Sequence, residues 1–297
     1  MSLNSIEMQK HIARKLKQRK IFDKGFHFVV FLATMAGVAF LAILLSKVLI
    51  DGLGNLNWDF LTSFPSRFPS KTGILTALVG SVWVISLTIV VALPIGVGTA
   101  IYLENYADKK SKFFQLLDIN IANLAGVPAI VYGMLGLMIF VRLLNFGSSI
   151  LSGALTLSLL ILPVIIIASQ EAIKAVPSSL RDASLALGAT KWQTVSRVII
   201  PYALPGILTG VILAVSRAMG EAAPLIMIGG AGYVGFLPSS PMDVFSALPL
   251  QIYNWTSRPQ TEFQNVAAAG IIVLLVLLLT LNGIAVYIRN RFSNRMD

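Results

Sequence analysis

The sequence predicts an all-α membrane protein that crosses the bilayer with six transmembrane helices. Two observations carry this fold class. First, 56% of the residues are hydrophobic and only 12% are charged, whereas soluble domains carry about 25% charged residues. Second, six apolar stretches approach or exceed the ~20 residues that a helix needs to cross the hydrocarbon. These stretches lie near residues 27–50, 73–102, 116–141, 150–169, 203–228 and 266–288.

The individual stretches differ in how clearly they predict a span. The first is too long and too far from the start of the chain to be a cleavable signal peptide. The third is the weakest, because Asp118, Asn120 and Asn123 lie near its start. The second and third also carry glycines and prolines that either permit close helix packing or serve as hinges, and we favour packing. These residues are Pro94, Gly96, Gly98, Gly126, Pro128, Gly133 and Gly136.

Lysine and arginine are distributed unevenly between the two sides of the predicted bundle. Seven precede residue 26, three lie in the loop near 103–115, four in the loop 170–202 and three in the C-terminal tail. By the positive-inside rule, both termini and the loop 170–202 face the cytoplasm.

This pattern divides the chain into a basic tail (1–26), a six-helix transmembrane domain (27–288) and a second cytoplasmic tail (289–297). We interpret the basic residues beside the first span as topology determinants with some attraction to anionic lipids, not as a nucleic-acid patch. On the opposite face, three aromatic side chains fit an interfacial belt, with docking of an outside partner as the alternative. They are Trp58, Tyr253 and Trp255.

The loop 170–202 is polar, yet its pattern predicts a helix, a turn and a second helix. Ser178 or Ser179 is expected to cap the first helix, and Ser179 with Asp182 forms an approximate capping box. Gly188 ends this helix, because a residue without a Cβ takes the left-handed conformation readily.

The second helix of the loop begins at a well-matched capping box, Thr190 with Gln193, and runs to Pro201. Small side chains lie along the expected contact surface and would let another protein approach closely. They are Ala183, Ser184, Ala186 and Ala189.

Arg217 and Glu221 are the only charged residues well inside a predicted span. Because they lie four positions apart, they should share one face of a helix and touch. An arginine at the bilayer centre costs about 2.5–3.5 kcal/mol on insertion scales, so the pair should face a partner helix or a polar pathway. A structural ion pair is one interpretation. We favour a second, in which Arg217 donates hydrogen bonds to a passing oxyanion and Glu221 competes for the arginine, so that the anion is released.

The loop 170–202 resembles the EAA loop of bacterial ABC importer permeases. It has Glu-Ala-Ile from residue 171 where the family prefers Glu-Ala-Ala, then Gly188, then Ile-Ile-Pro ending at Pro201. The resemblance implies a type I importer permease (MetI-like) fold, in which this loop is a coupling helix that docks in a groove of a cytoplasmic ATPase. The residues that it assigns to ATPase coupling are Glu171, Ala172, Ser184, Leu185, Gly188 and Ala189.

Four further segments are similar to the PstA-type permeases of bacterial phosphate importers. They are GTAIYLENYA (98–107), NLAGVPAIVYGMLGL (123–137), RAMGEAAPLI (217–226) and LPLQIYNWTSRP (248–259). The sister PstC-type permeases typically have Glu-Thr-Met-Ala where this chain has Glu-Ala-Ala-Pro from residue 221, which favours the A-type. The resemblance implies that Arg217 and Glu221 serve the passage of phosphate across the bacterial inner membrane.

The same resemblance implies three partners: a C-type phosphate permease as heterodimer partner, a dimer of ATPase subunits, and an extracytoplasmic phosphate-binding protein. The chain has no Gly-x-x-x-x-Gly-Lys-Ser/Thr loop, so ATP is expected on the partner subunits and no cofactor on this chain.

The sequence gives no sign of an enzyme or of a metal site. It has no cysteine and only two histidines, both near the N-terminus, and it shows no constellation of nucleophile, base and metal ligands. Two alternatives to a phosphate permease stay open. One is a permease for sulfate, molybdate or phosphonate, and the other is a proton-coupled secondary carrier with Glu221 as its proton relay.

Overall fold

The computed structural model describes residues 3–293, and within that range the regular elements are all helical. Two π-helical segments, Leu137–Leu143 and Val195–Ile199, continue α5 and join α8 to α9. The α-helices are α1 Leu3–Leu53, α2 Trp58–Thr62, α3 Leu75–Asn105, α4 Lys112–Ala125, α5 Ala129–Gly136, α6 Ile150–Lys174, α7 Ser178–Ala186, α8 Lys191–Thr194, α9 Ile200–Gly220, α10 Ala223–Met227, α11 Leu248–Thr256 and α12 Thr261–Ser293.

The chain forms two units. The first ends at Asp51 and consists of α1 alone, and the second begins at Gly52 and holds the other helices. In α1, the part from Phe22 to Leu53 is long and apolar enough to cross a membrane.

The prediction of six spans agrees with the structure if one broken pair of helices counts as a single span. By length and composition, five described helices can cross a membrane. The third predicted span is instead divided into Lys112–Ala125 and Ala129–Leu143, whose axes differ by 105°. The stretch 116–141, predicted as one span, is therefore a bent pair of helices.

The centre of the second unit is α6, which packs against α3 on one side and α9 on the other. Small residues let these helices approach closely, as in many membrane bundles. A Cβ added to Gly206 on α9 would lie 2.8 Å from the Cβ of Ala172, and one added to Gly96 on α3 would lie 2.7 Å from a methyl group of Ile165. The predicted packing role is thus confirmed for Gly96, whereas Gly98 has no atom within 4 Å of its position for a Cβ.

The break between α4 and α5 follows from Pro128. In a continuous helix residue 128 would donate its N–H to the carbonyl of Leu124, but proline has no N–H and its ring clashes with that carbonyl. The Leu124 carbonyl instead accepts hydrogen bonds from the Val127 N–H at 3.1 Å and from the Tyr132 hydroxyl at 2.7 Å. The polar group that the break releases is therefore satisfied inside the protein, as a membrane environment requires.

A second break has the same cause. The predicted span 203–228 ends at Gly220, and Glu221 is extended with φ −85° and ψ 111°. Pro224 would have to bond the Gly220 carbonyl if the helix continued, and it cannot. The chain restarts as the short helix α10, which carries Pro224 in its first turn.

The connection between α10 and α12 contains α11, which packs against α3 and α12. Trp255 on α11 is fully buried, with its ring centroid 5.9 Å from that of Phe60. Trp255 therefore does not belong to an interfacial belt, because α11 turns its indole inward. Trp58 and Tyr253 are exposed, as a belt requires.

Candidate functional site

The Arg217 guanidinium and the Glu221 carboxylate lie together at the end of α9. The Arg217 Nε is 3.5 Å from a Glu221 oxygen. Arg217 occupies the last turn of the helix, where the partial negative charge of the helix dipole favours a cation. The helix end and the carboxylate therefore both stabilise the positive charge of Arg217.

The predicted contact between these two residues is confirmed, but its geometry differs from the prediction. Glu221 does not share a helical face with Arg217, because it lies one residue beyond the helix in extended conformation. The contact is also longer than the 2.7–2.9 Å that is typical of a charge-assisted hydrogen bond. Within this chain the Arg217 side chain is 43% exposed and that of Glu221 is 24% exposed, so the pair is accessible to a further group.

The two helix breaks lie next to each other. A Cβ added to Gly133 on α5 would lie 2.8 Å from both Pro224 and Met227 of α10. Tyr132, the neighbour of Gly133, is buried. The sequence reasoning did not single out Tyr132. The sequence signal that could have identified it is the spacing of Pro128 and Tyr132, since a hydroxyl one helical turn after a proline can bond the carbonyl that the proline cannot.

The loop 170–202 has the predicted helix–turn–helix form. Gly188 has φ +80°, and the Thr190–Gln193 capping box has both of its hydrogen bonds, so these two predictions are confirmed. The predicted serine cap is wrong. Pro177 takes the N-cap position with φ −55° and ψ 133°, and no side chain caps α7. The rigid ring of Pro177 leads directly into the first helical turn, which leaves Ser178 inside the helix.

The predicted ATPase-coupling residues occupy two places. Glu171 and Ala172 lie on the last turn of α6, where Glu171 pairs with Lys174 at 2.9 Å and Ala172 packs against Gly206. The others belong to α7 and the following turn. Ser184 is within 3.0 Å of the Thr194 hydroxyl, while Leu185 is 46% exposed.

The four small residues of the predicted contact surface differ in exposure. Ala183 and Ala186 are exposed, whereas Ser184 and Ala189 are half-buried. The most exposed apolar side chain of the loop is Leu187, at 89%.

Three consecutive residues at the end of α3 hold this loop. The Glu104 carboxylate accepts a hydrogen bond from Lys109 at 2.6 Å and lies 3.6 Å from Lys174. The Asn105 side-chain oxygen accepts a hydrogen bond from Arg181 at 3.0 Å. Lys191 lies 5.0 Å from the centre of the Tyr106 ring, within the range of a cation–π contact. Sequence reasoning missed this cluster.

Comparison with known proteins identifies the class of this molecule. The family model described as "Binding-protein-dependent transport system inner membrane component" matches residues 92–294, more than half of the chain. The chain belongs to this family. It is therefore a non-catalytic permease subunit of an ABC importer, and it is a membrane protein.

Members and structural neighbours of the family cover most of the chain. The probable ABC transporter permease YqgI of Bacillus subtilis is 34% identical over 276 residues, which are 89% of this chain and 94% of that protein. The phosphate transport system permease protein PstA 1 of Mycobacterium tuberculosis is 35% identical over 230 residues, which are 76% of this chain and 72% of that protein. A bacterial ABC transporter for alginate superposes with a TM-score of 0.64 at 14% identity, covering 92% of this chain and 99% of that one. The predicted importer-permease fold is confirmed.

Proposed function

We propose that this chain conducts inorganic phosphate as one half of the translocation pathway of an ATP-driven importer. The observation that carries the proposal is the Arg217–Glu221 contact at the end of a helix that can cross a membrane. The chain is also 35% identical over 230 residues to a phosphate permease. Ionisable residues within membrane spans are rare and are functional by default.

The geometry of the pair suits the transfer of an anion. The ion pair engages the Arg217 Nε, and the two terminal nitrogens of the guanidinium can take up phosphate oxygens in the bidentate geometry that arginine favours. At 3.5 Å the Glu221 contact is loose, so an arriving phosphate can compete for the arginine. Glu221 then competes in turn, and the anion moves on instead of staying bound.

In this proposal the loop from Glu171 to Pro201 couples the pathway to ATP hydrolysis. The exposed apolar side chains of Leu185 and Leu187 would contact a cytoplasmic ATPase. Energy then comes from ATP that is bound by partner subunits, and this chain needs no cofactor. The assembly would contain a C-type permease as the other half of the pathway, two ATPase subunits and an extracytoplasmic phosphate-binding protein.

The orientation in the membrane follows from the distribution of basic residues. Both termini and the coupling loop lie on the cytoplasmic side by the positive-inside rule, and the basic N-terminal residues attract anionic lipids of that leaflet. This orientation places the loop where ATP is available.

Transport by the whole complex in vesicles tests the proposal. The chain and its co-encoded partner subunits are reconstituted into proteoliposomes, the binding protein is added on the opposite side from ATP, and uptake of radiolabelled phosphate is followed. We expect uptake that requires ATP and persists in excess sulfate or molybdate. ATP-dependent transport of a different oxyanion would contradict the choice of phosphate. Uptake that is driven by a proton gradient without ATP would contradict the coupling role of the loop.

A further inference from the structure

The end of α3 makes one polar contact with each part of the coupling loop. Glu104 reaches Lys174 at the end of α6, and Asn105 reaches Arg181 on α7. Tyr106 reaches Lys191 at the start of α8. Consecutive residues of one helix end therefore contact all three helices of the loop, at the end of α6, on α7 and at the start of α8.

Burial shows that these contacts are built into the fold. The Glu104 side chain is only 4% exposed, and Asn105 is 8% exposed. Burying a carboxylate is unfavourable unless it is paired and hydrogen-bonded, and Glu104 is paired with two lysines. Asn105 is anchored by a second hydrogen bond, from its amide nitrogen to the Ile101 carbonyl of its own helix at 3.1 Å.

Apolar packing does not set the position of α7. None of its residues is buried, and a cavity of about 310 Å³ lies between it and the end of α3, lined by Asn105, Arg181, Leu185 and Lys191 among others. The links that hold α7 are instead polar, namely Asn105 with Arg181 and Ser184 with Thr194. A helix held this way follows the movement of its anchors.

We infer that residues 104–106 are positioning residues for energy coupling, and that the Asn105–Arg181 hydrogen bond fixes α7 relative to α3. When α3 moves during transport, this contact transmits the movement to the loop. In the same way, it transmits movement of the loop to α3. The inference rests on the proposed role of the loop in contacting the ATPase.

The first test replaces the Asn105 acceptor. Asn105→Leu keeps the branched shape of the side chain but removes its oxygen and its amide nitrogen, and Asn105→Asp keeps an oxygen and turns the contact with Arg181 into an ion pair. In the reconstituted complex we measure phosphate uptake, ATP hydrolysis and the amount of ATPase subunit that co-purifies. We expect Asn105→Leu to lower phosphate imported per ATP about tenfold, the effect of losing a hydrogen bond to a charged group, with the complex intact. Asn105→Asp should keep the wild-type ratio, and Arg181→Leu added to Asn105→Leu should lower the ratio no further.

An unchanged ratio in Asn105→Leu would overturn the inference. So would a loss of uptake and hydrolysis in step with a loss of the ATPase subunit, because that pattern indicates a purely structural role.

A second measurement does not depend on the transported substrate. The sequence contains no cysteine, so spin labels can be placed uniquely at Ile95→Cys on α3 and Ser179→Cys on α7, both of which are exposed. Asn105→Leu should broaden the distribution of distances between the two labels, and Asn105→Asp should not. Equal distributions in all three proteins would contradict the inference even if phosphate is the wrong substrate. A wild-type complex that imports a different oxyanion would contradict only the proposed substrate.

Discussion

The Tyr132 hydroxyl donates a 2.7 Å hydrogen bond to the carbonyl of Leu124, eight residues earlier in the chain. This carbonyl is the one that Pro128 cannot serve, so the tyrosine replaces the missing helical N–H. The bond joins the two halves of the broken span where α5 packs against α10.

Tyr132→Phe should therefore destabilise the protein by about 0.5–1.5 kcal/mol, the usual net value of one hydrogen bond. The expected readout is a lower thermal unfolding midpoint of the purified protein in detergent. Tyr253→Phe is the matched control, because Tyr253 is 56% exposed, and it should change the midpoint little. Equal midpoints for the two variants would show that the Tyr132 bond does not stabilise the break.

Gly188 provides a prediction about backbone conformation. Its φ is +80°, and no atom lies within 4 Å of the position where a Cβ would be, so a substitution is disfavoured by the backbone and not by crowding. The left-handed conformation costs residues with a Cβ about 1–2 kcal/mol, and asparagine tolerates it best. Gly188→Val should reduce co-purification of the ATPase subunit more than Gly188→Asn does. If both variants retain the same amount of ATPase subunit, the conformation of this turn does not contribute to coupling.

Asp243 provides a prediction about pH. The backbone N–H groups of Ser239 and Ser240 donate to its carboxylate, and these bonds lower the pKa of Asp243 below its usual value. The turn so formed places the carbonyls of Pro241 and Asp243 against the N–H groups of Leu151 and Ile150, at the start of α6. A lowered folded pKa means that the stabilisation is complete above the unfolded pKa, about 3.9, and is lost as the pH falls through the folded value.

Asp243→Asn should thus lower the unfolding midpoint at pH 7, and the difference from wild type should shrink as the pH falls below about 3.9. Unfolding curves of wild type and Asp243→Asn, recorded from pH 7 to below pH ~3.9, measure this difference. Asp59 on α2 is exposed, and Asp59→Asn is the control. A difference that stays constant with pH would show that the Asp243 carboxylate is not the group responsible.

Local patterns in the sequence predicted local structure well. The Thr190–Gln193 box and the left-handed Gly188 depend on neighbouring residues alone, and both are present. The helix breaks were missed because hydropathy runs continuously through Pro128 and Pro224. A proline alone does not predict a break, since three others lie inside continuous helices, namely Pro94, Pro163 and Pro205. The contact of Asn105 with Arg181 joins residues 76 positions apart. No periodicity reports such a contact, since only the packing of α3 against α6 brings the two together.

The Arg217–Glu221 pair gives the most direct prediction about transport. Arg217→Gln should abolish ATP-dependent phosphate uptake while the complex still assembles, because glutamine keeps the polarity and most of the volume but loses the charge and the fork of donors. Arg217→Lys keeps the positive charge but not the fork of donors, so its phosphate uptake should lie between that of wild type and that of Arg217→Gln. Arg291→Gln, the same change at an exposed position near the C-terminus, is the control and should transport normally.

Glu221→Gln separates the two roles within the pair. If the carboxylate competes with phosphate for Arg217, its loss should leave phosphate bound more tightly and slow its release, so that maximal uptake falls while half-saturation shifts to lower phosphate. If Glu221 only neutralises Arg217 as a structural partner, the variant should instead lose stability or assembly with no change in half-saturation. Uptake measured over a range of phosphate concentrations, beside the unfolding midpoint and the yield of intact complex, distinguishes these outcomes. Normal uptake in Arg217→Gln would contradict the translocation role of the pair as a whole.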